Sequence, residues 1–183
     1  MANYFLSSTL IIAILLFGQF SYGQGNSNHN HNVNVHTTQS ASVAVKGGPP
    51  VSLSLTAPTE AGSPMLLTAT NNNLWLNYSS VTSTSGTNTV SVKASTTLPG
   101  VALKVIAGSD AGSGGGSVGT PTSIITLTTS DQVIINSIGT GYTGNGNNKG
   151  HNLTYSVAAI AYNLIKYTSS SISIDITYTI TNN

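Results

Sequence analysis

Ser171–Thr181 has the sequence SISIDITYTIT, in which apolar and polar side chains alternate. The odd positions are all Ser, Asp or Thr, and the even positions are Ile172, Ile174, Ile176, Tyr178 and Ile180. Successive side chains of an extended chain point to opposite faces, so the segment predicts a half-buried strand with one dry face. We therefore expect β-structure here.

The same two-residue period recurs along the chain. It predicts further strands, and apolar runs between turn residues add others: Val51–Leu55, Met65–Thr70, Leu74–Tyr78, Val90–Ala94, Val101–Ala107, Ile124–Thr128, Gln132–Ile138 and Leu153–Ala159. Turn residues separate them, as in Leu98-Pro99-Gly100 and the run Gly108–Gly119. About eight to ten short strands with closely spaced turns predict an all-β, immunoglobulin-like β-sandwich, with a barrel as the alternative.

One segment, Leu153–Tyr167, is compatible with two structures. Leu153, Val157, Ala161 and Leu164 share one face of a helix. Thr, Tyr and Val, however, prefer the pleated surface of a sheet. A strand followed by an irregular segment is the favoured prediction, and a helix is the alternative.

The first 23 residues are predicted to be a signal peptide. Leu10–Phe17 is an apolar run that is too short to span a bilayer, and Ser21-Tyr22-Gly23 provides the small residues that a signal peptidase requires. Cleavage after Gly23 would leave a secreted chain without a membrane segment. The alternative is an N-terminal anchor that is retained. With no cysteine in the sequence, stability is expected to come from a hydrophobic core.

The scarcity of charge excludes several functions. Charged residues make up 5% of the sequence, against about 25% in ordinary soluble proteins, and none of them is Arg. Nucleic-acid binding needs clustered cations, whereas this chain has five lysines and a formal net charge of +1. A disordered chain would combine low hydrophobicity with high net charge, but this chain is 39% hydrophobic. We expect it to fold.

No catalytic or cofactor motif is supported by its surroundings. The run Gly139–Gly144 matches G-x-G-x-x-G, but the helix-breaking residues 145–150 follow it, so a glycine-rich loop is predicted instead of a dinucleotide site. A Ser-His-Asp site would have to use His151, and no G-x-S-x-G element is present. The sequence therefore predicts neither an enzyme nor a bound cofactor.

Two further features of the sequence are candidate histidine metal ligands and N-glycosylation sequons. His29 and His31 lie on the same side of an extended chain, with His36 nearby, but the surrounding residues are mainly Asn. We predict a polar tract here, with a histidine metal site as the weaker alternative. Asn77 and Asn152 each begin an N-glycosylation sequon, which matters only in a host that has this machinery.

The segment 24–46 is predicted to form an extended N-terminal β-arm. Its valines and one alanine share a single parity, which would place them on one face: Val33, Val35, Ala41, Val43 and Val45. Val33–Val45 would extend about 43 Å as one strand, which is longer than a typical sandwich strand. Gly47, Gly48, Pro49 and Pro50 follow as a predicted hinge to the domain 51–183.

A long single-faced strand on a hinge is suited to β-strand addition. Main-chain hydrogen bonds supply the affinity, and alternate side chains fill pockets of the acceptor. If donor and acceptor surfaces lie at opposite ends of a subunit, the contact is head to tail and propagates as a filament. The predicted partner is therefore another copy of the chain.

In layout, the chain resembles secreted filament proteins that polymerise by donor-strand complementation, namely chaperone-usher pilins and archaeal surface threads. The shared features are a signal peptide, an alternating arm and a Ser/Thr/Asn/Gly-rich β-domain. Gly141–Gly144 and Leu153–Ser156 are also similar to small secreted β-proteins of Bacteroidetes. The resemblance implies an extracellular filament subunit. Two alternatives remain. One is a monomeric adhesin or carbohydrate-binding module that binds surface glycans with aromatic platforms: Trp75, Tyr78, Tyr142, Tyr155 and Tyr162. The other is a monomer whose arm folds back on its own sheet.

Overall fold

The computed structural model describes residues 32–64, 66–67 and 70–182. The predicted signal peptide 1–23 lies outside these ranges. The described residues from Thr37 onwards belong to one compact unit. Within the described residues the secondary structure is almost entirely β, as the alternating pattern predicted, with one 3₁₀ helix at Tyr162–Leu164. The strands are β1 Ser40–Gly47, β2 Leu55–Thr56, β3 Leu66–Leu67, β4 Asn71–Val81, β5 Asn88–Ala94, β6 Val101–Asp110, β7 Gly115–Pro121, β8 Ile125–Thr126, β9 Gln132–Tyr142, β10 His151–Ala159 and β11 Ile176–Asn182.

Nine of these strands form one antiparallel sheet, while β2 and β3 pair separately. The order along the sheet is β11-β5-β9-β4-β10-β6-β8, with β1 paired to β4 and β7 paired to β9. The link between β4 and β9 is short, because only Ser79 with Tyr142 and Ser80 with Gly141 are paired. The sheet therefore consists of two strand groups, β11-β5-β9-β7 and β1-β4-β10-β6-β8, that meet at this link.

The hydrophobic core contains residues from both groups. Leu76, Leu153 and Val105 come from β4, β10 and β6, and they share one cluster with fully buried residues of β5 and β9: Val90, Val92, Ile134, Ile135 and Ile138. Burying a Leu, Ile or Val side chain contributes about 1.5–3 kcal/mol. Polar contacts also join the groups, since the hydroxyls of Tyr155 on β10 and Tyr178 on β11 are 2.7 Å apart.

The strand predictions are confirmed in the middle of most elements and fail at some ends. Leu153–Tyr167 is a strand and then a 3₁₀ helix, so the favoured prediction for it is confirmed and the helical alternative is wrong. Ser171–Asp175 is not part of β11, which begins at Ile176. The reason is the partner strand: Ile176 pairs with Ala94, the last residue of β5. Similarly, only Leu55 of the predicted strand Val51–Leu55 is in a strand.

The glycine-rich motif is not wholly a loop. Gly139–Tyr142 belong to β9, and the loop begins only at Thr143. Gly141 is paired on one side with Gly116 of β7 and on the other with Ser80 of β4. A Cβ atom on Gly141 would lie 2.8 Å from the Gly115 carbonyl oxygen. Glycine is thus needed here because three strands approach closely, and no helix follows that could bind a dinucleotide.

Candidate functional site

The central feature of the candidate site is β1 on the edge of β4. The two strands are antiparallel in one register, from Ser40 opposite Val81 to Gly47 opposite Leu74. Ala41 and Val43 are half-buried and the intervening Ser42 is exposed. Val43 packs against the hydrophobic core. The predicted inward parity is therefore found at Ala41 and Val43.

The rest of the predicted arm differs from the expectation. Val33 and Val35 are 71% and 83% exposed and lie outside the strand. A single strand over Val33–Val45 is therefore not formed in this structure. The strand begins only at Ser40 because its partner strand, β4, ends at Val81, opposite Ser40. Val45 is inside β1 but is 39% exposed.

β1 is an edge strand that is joined to the rest of its domain by a short segment without regular structure. Within the described residues, β4 is its one backbone partner. The predicted hinge begins inside β1, since Gly47 is its last residue, and Gly48, Pro49 and Pro50 follow without regular structure. Gly47 has a φ of 137°, and a Cβ atom there would lie 2.2 Å from the Asn73 carbonyl oxygen. Glycine is therefore required where the chain leaves β4.

An apolar groove of about 510 Å³ adjoins this exit; among its lining residues are Val45, Val51, Leu53, Tyr155, Ile174 and Tyr178. The hydroxyls of Tyr155 and Tyr178 form a hydrogen bond there. Burial raises the pKa of both phenols above the ordinary value of 10.0, and the neighbouring Tyr155 raises the pKa of Tyr178 further. Both groups are therefore held neutral in the folded chain.

We expect the free energy of unfolding to fall as the pH rises above 10.0, the ordinary tyrosine pKa. The tyrosines lose their phenolic protons at a lower pH in the unfolded chain than in the folded chain. The stabilisation that the two neutral phenols give the folded chain is therefore complete below that pH, and it is lost as the pH rises towards the folded-state pKa. Urea unfolding at about pH 8 and pH 11 measures the fall. Between these two pH values, the free energy of unfolding of the Tyr178→Phe variant should fall less than that of the parent protein. Equal losses in the two proteins would contradict the expectation.

His151 is fully buried and lies at the centre of a second cluster of polar contacts. Its Nδ1 is 2.9 Å from the Gly108 carbonyl oxygen and its Nε2 is 2.8 Å from the Tyr78 hydroxyl. That hydroxyl also contacts the Val118 carbonyl oxygen, and the two rings stack with centroids 5.6 Å apart. With a tyrosine and a backbone carbonyl as partners, His151 is placed to link β4, β6 and β10, and it is not accessible to a substrate.

The two predicted glycosylation sites are strand residues with bonded side chains. Asn77 is 5% exposed; its amide nitrogen donates to the Lys149 carbonyl at 2.6 Å, and its oxygen accepts from the Gly146 amide at 2.7 Å. A glycan on this nitrogen would have no space in the folded domain, so Asn77 is a poor acceptor. The amide nitrogen of the half-buried Asn152 donates to Asn72 and Leu74 carbonyls.

The histidine tract lies mostly beyond the described structure. His29 and His31 are outside the described residues, and His36 is exposed. Among the residues that the structure describes, no three His, Asp or Glu side chains are grouped to hold a metal ion. The described residues therefore give no support to a metal site.

The aromatic residues divide into core and surface. Tyr78 and Tyr155 are 3% and 4% exposed, so they cannot be binding platforms. Tyr142 and Tyr162 are 55% and 51% exposed. Trp75 lies between the core residue Leu76 and Leu74 on β4, is half-buried, and lines an open polar cleft.

Comparison with protein-family models, curated proteins and solved structures finds no match to this chain. Over the ranges that the structure describes, no helix is long and apolar enough to cross a membrane.

Proposed function

We propose that this chain is a secreted structural subunit of an extracellular filament, and that β1 of one copy pairs with β4 of the next. The domain would then be an immunoglobulin-like β-sandwich in which the two strand groups form the two layers. The single observation that carries this proposal is that β1 is an edge strand, supplies Val43 to the core and leaves β4 through Gly47 and two prolines.

Exchange of β1 between copies has a low thermodynamic cost. Every β1–β4 hydrogen bond and the Val43 contact would be retained, because the neighbour provides an identical strand. In the isolated chain β1 closes its own β4 edge; in the filament the neighbour's β1 takes that place. Donation in one direction leaves a free strand at one end and a free β4 edge at the other, so growth is head to tail.

A designed cysteine pair tests this directly, because the natural chain contains no cysteine. Ser42 and Ser79 are direct partners in the β1–β4 register, and both are exposed. Directly opposite residues of antiparallel strands have Cβ atoms about 4.5–5.5 Å apart, which allows a disulfide after a small shift. The double variant Ser42→Cys, Ser79→Cys is prepared from Gln24 onwards, allowed to assemble, and then oxidised.

Filaments should give a ladder of covalent multimers on a denaturing, non-reducing gel, and negative-stain microscopy should show fibres. The matched control, Ser42→Cys alone, can form no species larger than a covalent dimer. If the double variant gives only internally closed monomers, β1 remains on its own β4 and the proposed assembly is wrong.

A further inference from the structure

We infer that the cleft at Trp75 binds a neutral oligosaccharide. This site adjoins the Gly47 end of the β1–β4 ladder, since Trp75 is the β4 partner of Lys46. It needs a β1 strand on β4, but not one that comes from another copy. The open cleft has a volume of about 650 Å³ and is lined by Trp75, by Gly48 and by asparagines from β4, β10 and the loop between β9 and β10: Asn72, Asn73, Asn147, Asn148 and Asn152.

The strand register explains how the cleft forms. Trp75 is opposite Lys46 of β1 on one side and Asn152 of β10 on the other, so these three side chains share one face of the sheet. Asn77 holds the glycine-rich loop above this face through its bonds to Lys149 and Gly146. The loop thereby brings two exposed asparagines, residues 147 and 148, beside the indole.

The asparagines differ in whether their amides are already used. The side-chain amide of Asn152 is already used, because it donates to two carbonyl oxygens of β4, those of Asn72 and Leu74. Within the described part of the chain, the side-chain amides of the other four have no hydrogen-bond partner: Asn72, Asn73, Asn147 and Asn148. An Asn amide presents two donors and one acceptor oxygen, which matches the vicinal hydroxyls of a sugar. Four amides without a protein partner therefore line the same cleft as the tryptophan.

The chemistry favours a sugar over other ligands of the same size. A tryptophan offers a flat apolar surface with a polar edge, which suits the C–H face of a pyranose ring. None of the lining residues is charged, and Lys46, which shares the face of Trp75, is not among them, so the lining itself offers no charge to pair with a phosphate or a carboxylate. Apolar ligands are disfavoured, since they would leave the amides without partners.

Trp75 is the single tryptophan of the chain, so its fluorescence reports on this cleft alone. The full secreted chain is titrated with cellohexaose, maltohexaose, chitohexaose and mannohexaose up to about 10 mM, in the affinity range of shallow sites. At least one neutral sugar should change the emission in a saturable way, with the same affinity by calorimetry. No response to any of them, or a response only to the acidic probe polygalacturonate, would overturn the inference.

Variants assign the binding to the cleft. By calorimetry, Trp75→Ala should weaken binding at least about tenfold, because the stacking surface is removed. Asn148 has a φ of 59°, so Asn148→Gly removes the amide while keeping a backbone that glycine tolerates, and binding should fall several-fold. The matched controls are Asn145→Ala in the same loop and Tyr167→Ala, an aromatic residue that is 93% exposed outside the cleft. Unchanged affinity in Trp75→Ala would refute the assignment.

Discussion

Val43→Asp is expected to abolish filament formation and to lower the free energy of unfolding by about 2–4 kcal/mol, because it places a carboxylate against the apolar core. Val43 is the β1 residue that packs against this core. No described residue of β1 or β4 offers a cation beside it except Lys46, which is on the other face of the strand. The strand should therefore detach from β4, whether it comes from the same chain or from a neighbour.

Ser42→Asp is the matched control, since Ser42 is the adjacent residue and is exposed. It adds the same charge to the same strand and should change the unfolding free energy by no more than about 0.5 kcal/mol. Light scattering after size-exclusion chromatography measures assembly, and urea unfolding measures stability. Filaments that persist in Val43→Asp but not in Ser42→Asp would place the donor contact on the opposite face of the strand.

His151→Leu is expected to lower the free energy of unfolding by about 3 kcal/mol, because it removes the buried hydrogen bond to the Tyr78 hydroxyl and the part-buried one to the Gly108 carbonyl. Urea unfolding followed by the fluorescence of Trp75 measures the change. The double variant with Tyr78→Phe completes a cycle, and a coupling energy of about 0.5–3 kcal/mol is expected for groups in direct contact.

The control for this cycle is an exposed hydrogen bond. The hydroxyls of Thr82 and Thr140 form a hydrogen bond of 3.2 Å on the surface. Thr82→Val should therefore lower the free energy of unfolding by about 0.5 kcal/mol or less. If His151→Leu is as mild as Thr82→Val, the buried ring does not stabilise the junction of β4, β6 and β10. A large loss with no coupling to Tyr78 would assign the effect to packing alone.

The alternating pattern predicted the strands because burial on one face has a period of two. It did not predict their ends, since an end is set by where the partner strand stops, as β5 ends at Ala94 opposite Ile176. The same limit applies to β1: the valine parity extends back to Val33, whereas pairing begins at Ser40. Pairing is a long-range property that a local pattern does not contain.

The buried polar residues were harder to predict than the strands. His151 shares its parity with Leu153, Tyr155 and Val157, and this alternation was the signal that it faces the core. Asn77 gave no such signal, because its burial depends on a loop some seventy residues away, whose Lys149 and Gly146 bind it. The parity of Trp75, between Leu74 and Leu76, indicates that it lies on the face of β4 opposite the core, but the surrounding asparagines come together only through the β4–β10 register and the loop.

The register of β1 on β4 has a mechanical consequence for the proposed filament. Tension that enters β1 at Gly47 along the strand axis would run parallel to β4. The ladder would then be loaded in shear, so its eight residue pairs resist together instead of separating one after another. Such a fibre would be strong under pulling along the strand, although the chain has no cysteine for a disulfide cross-link, and weak to peeling from the Ser40 end.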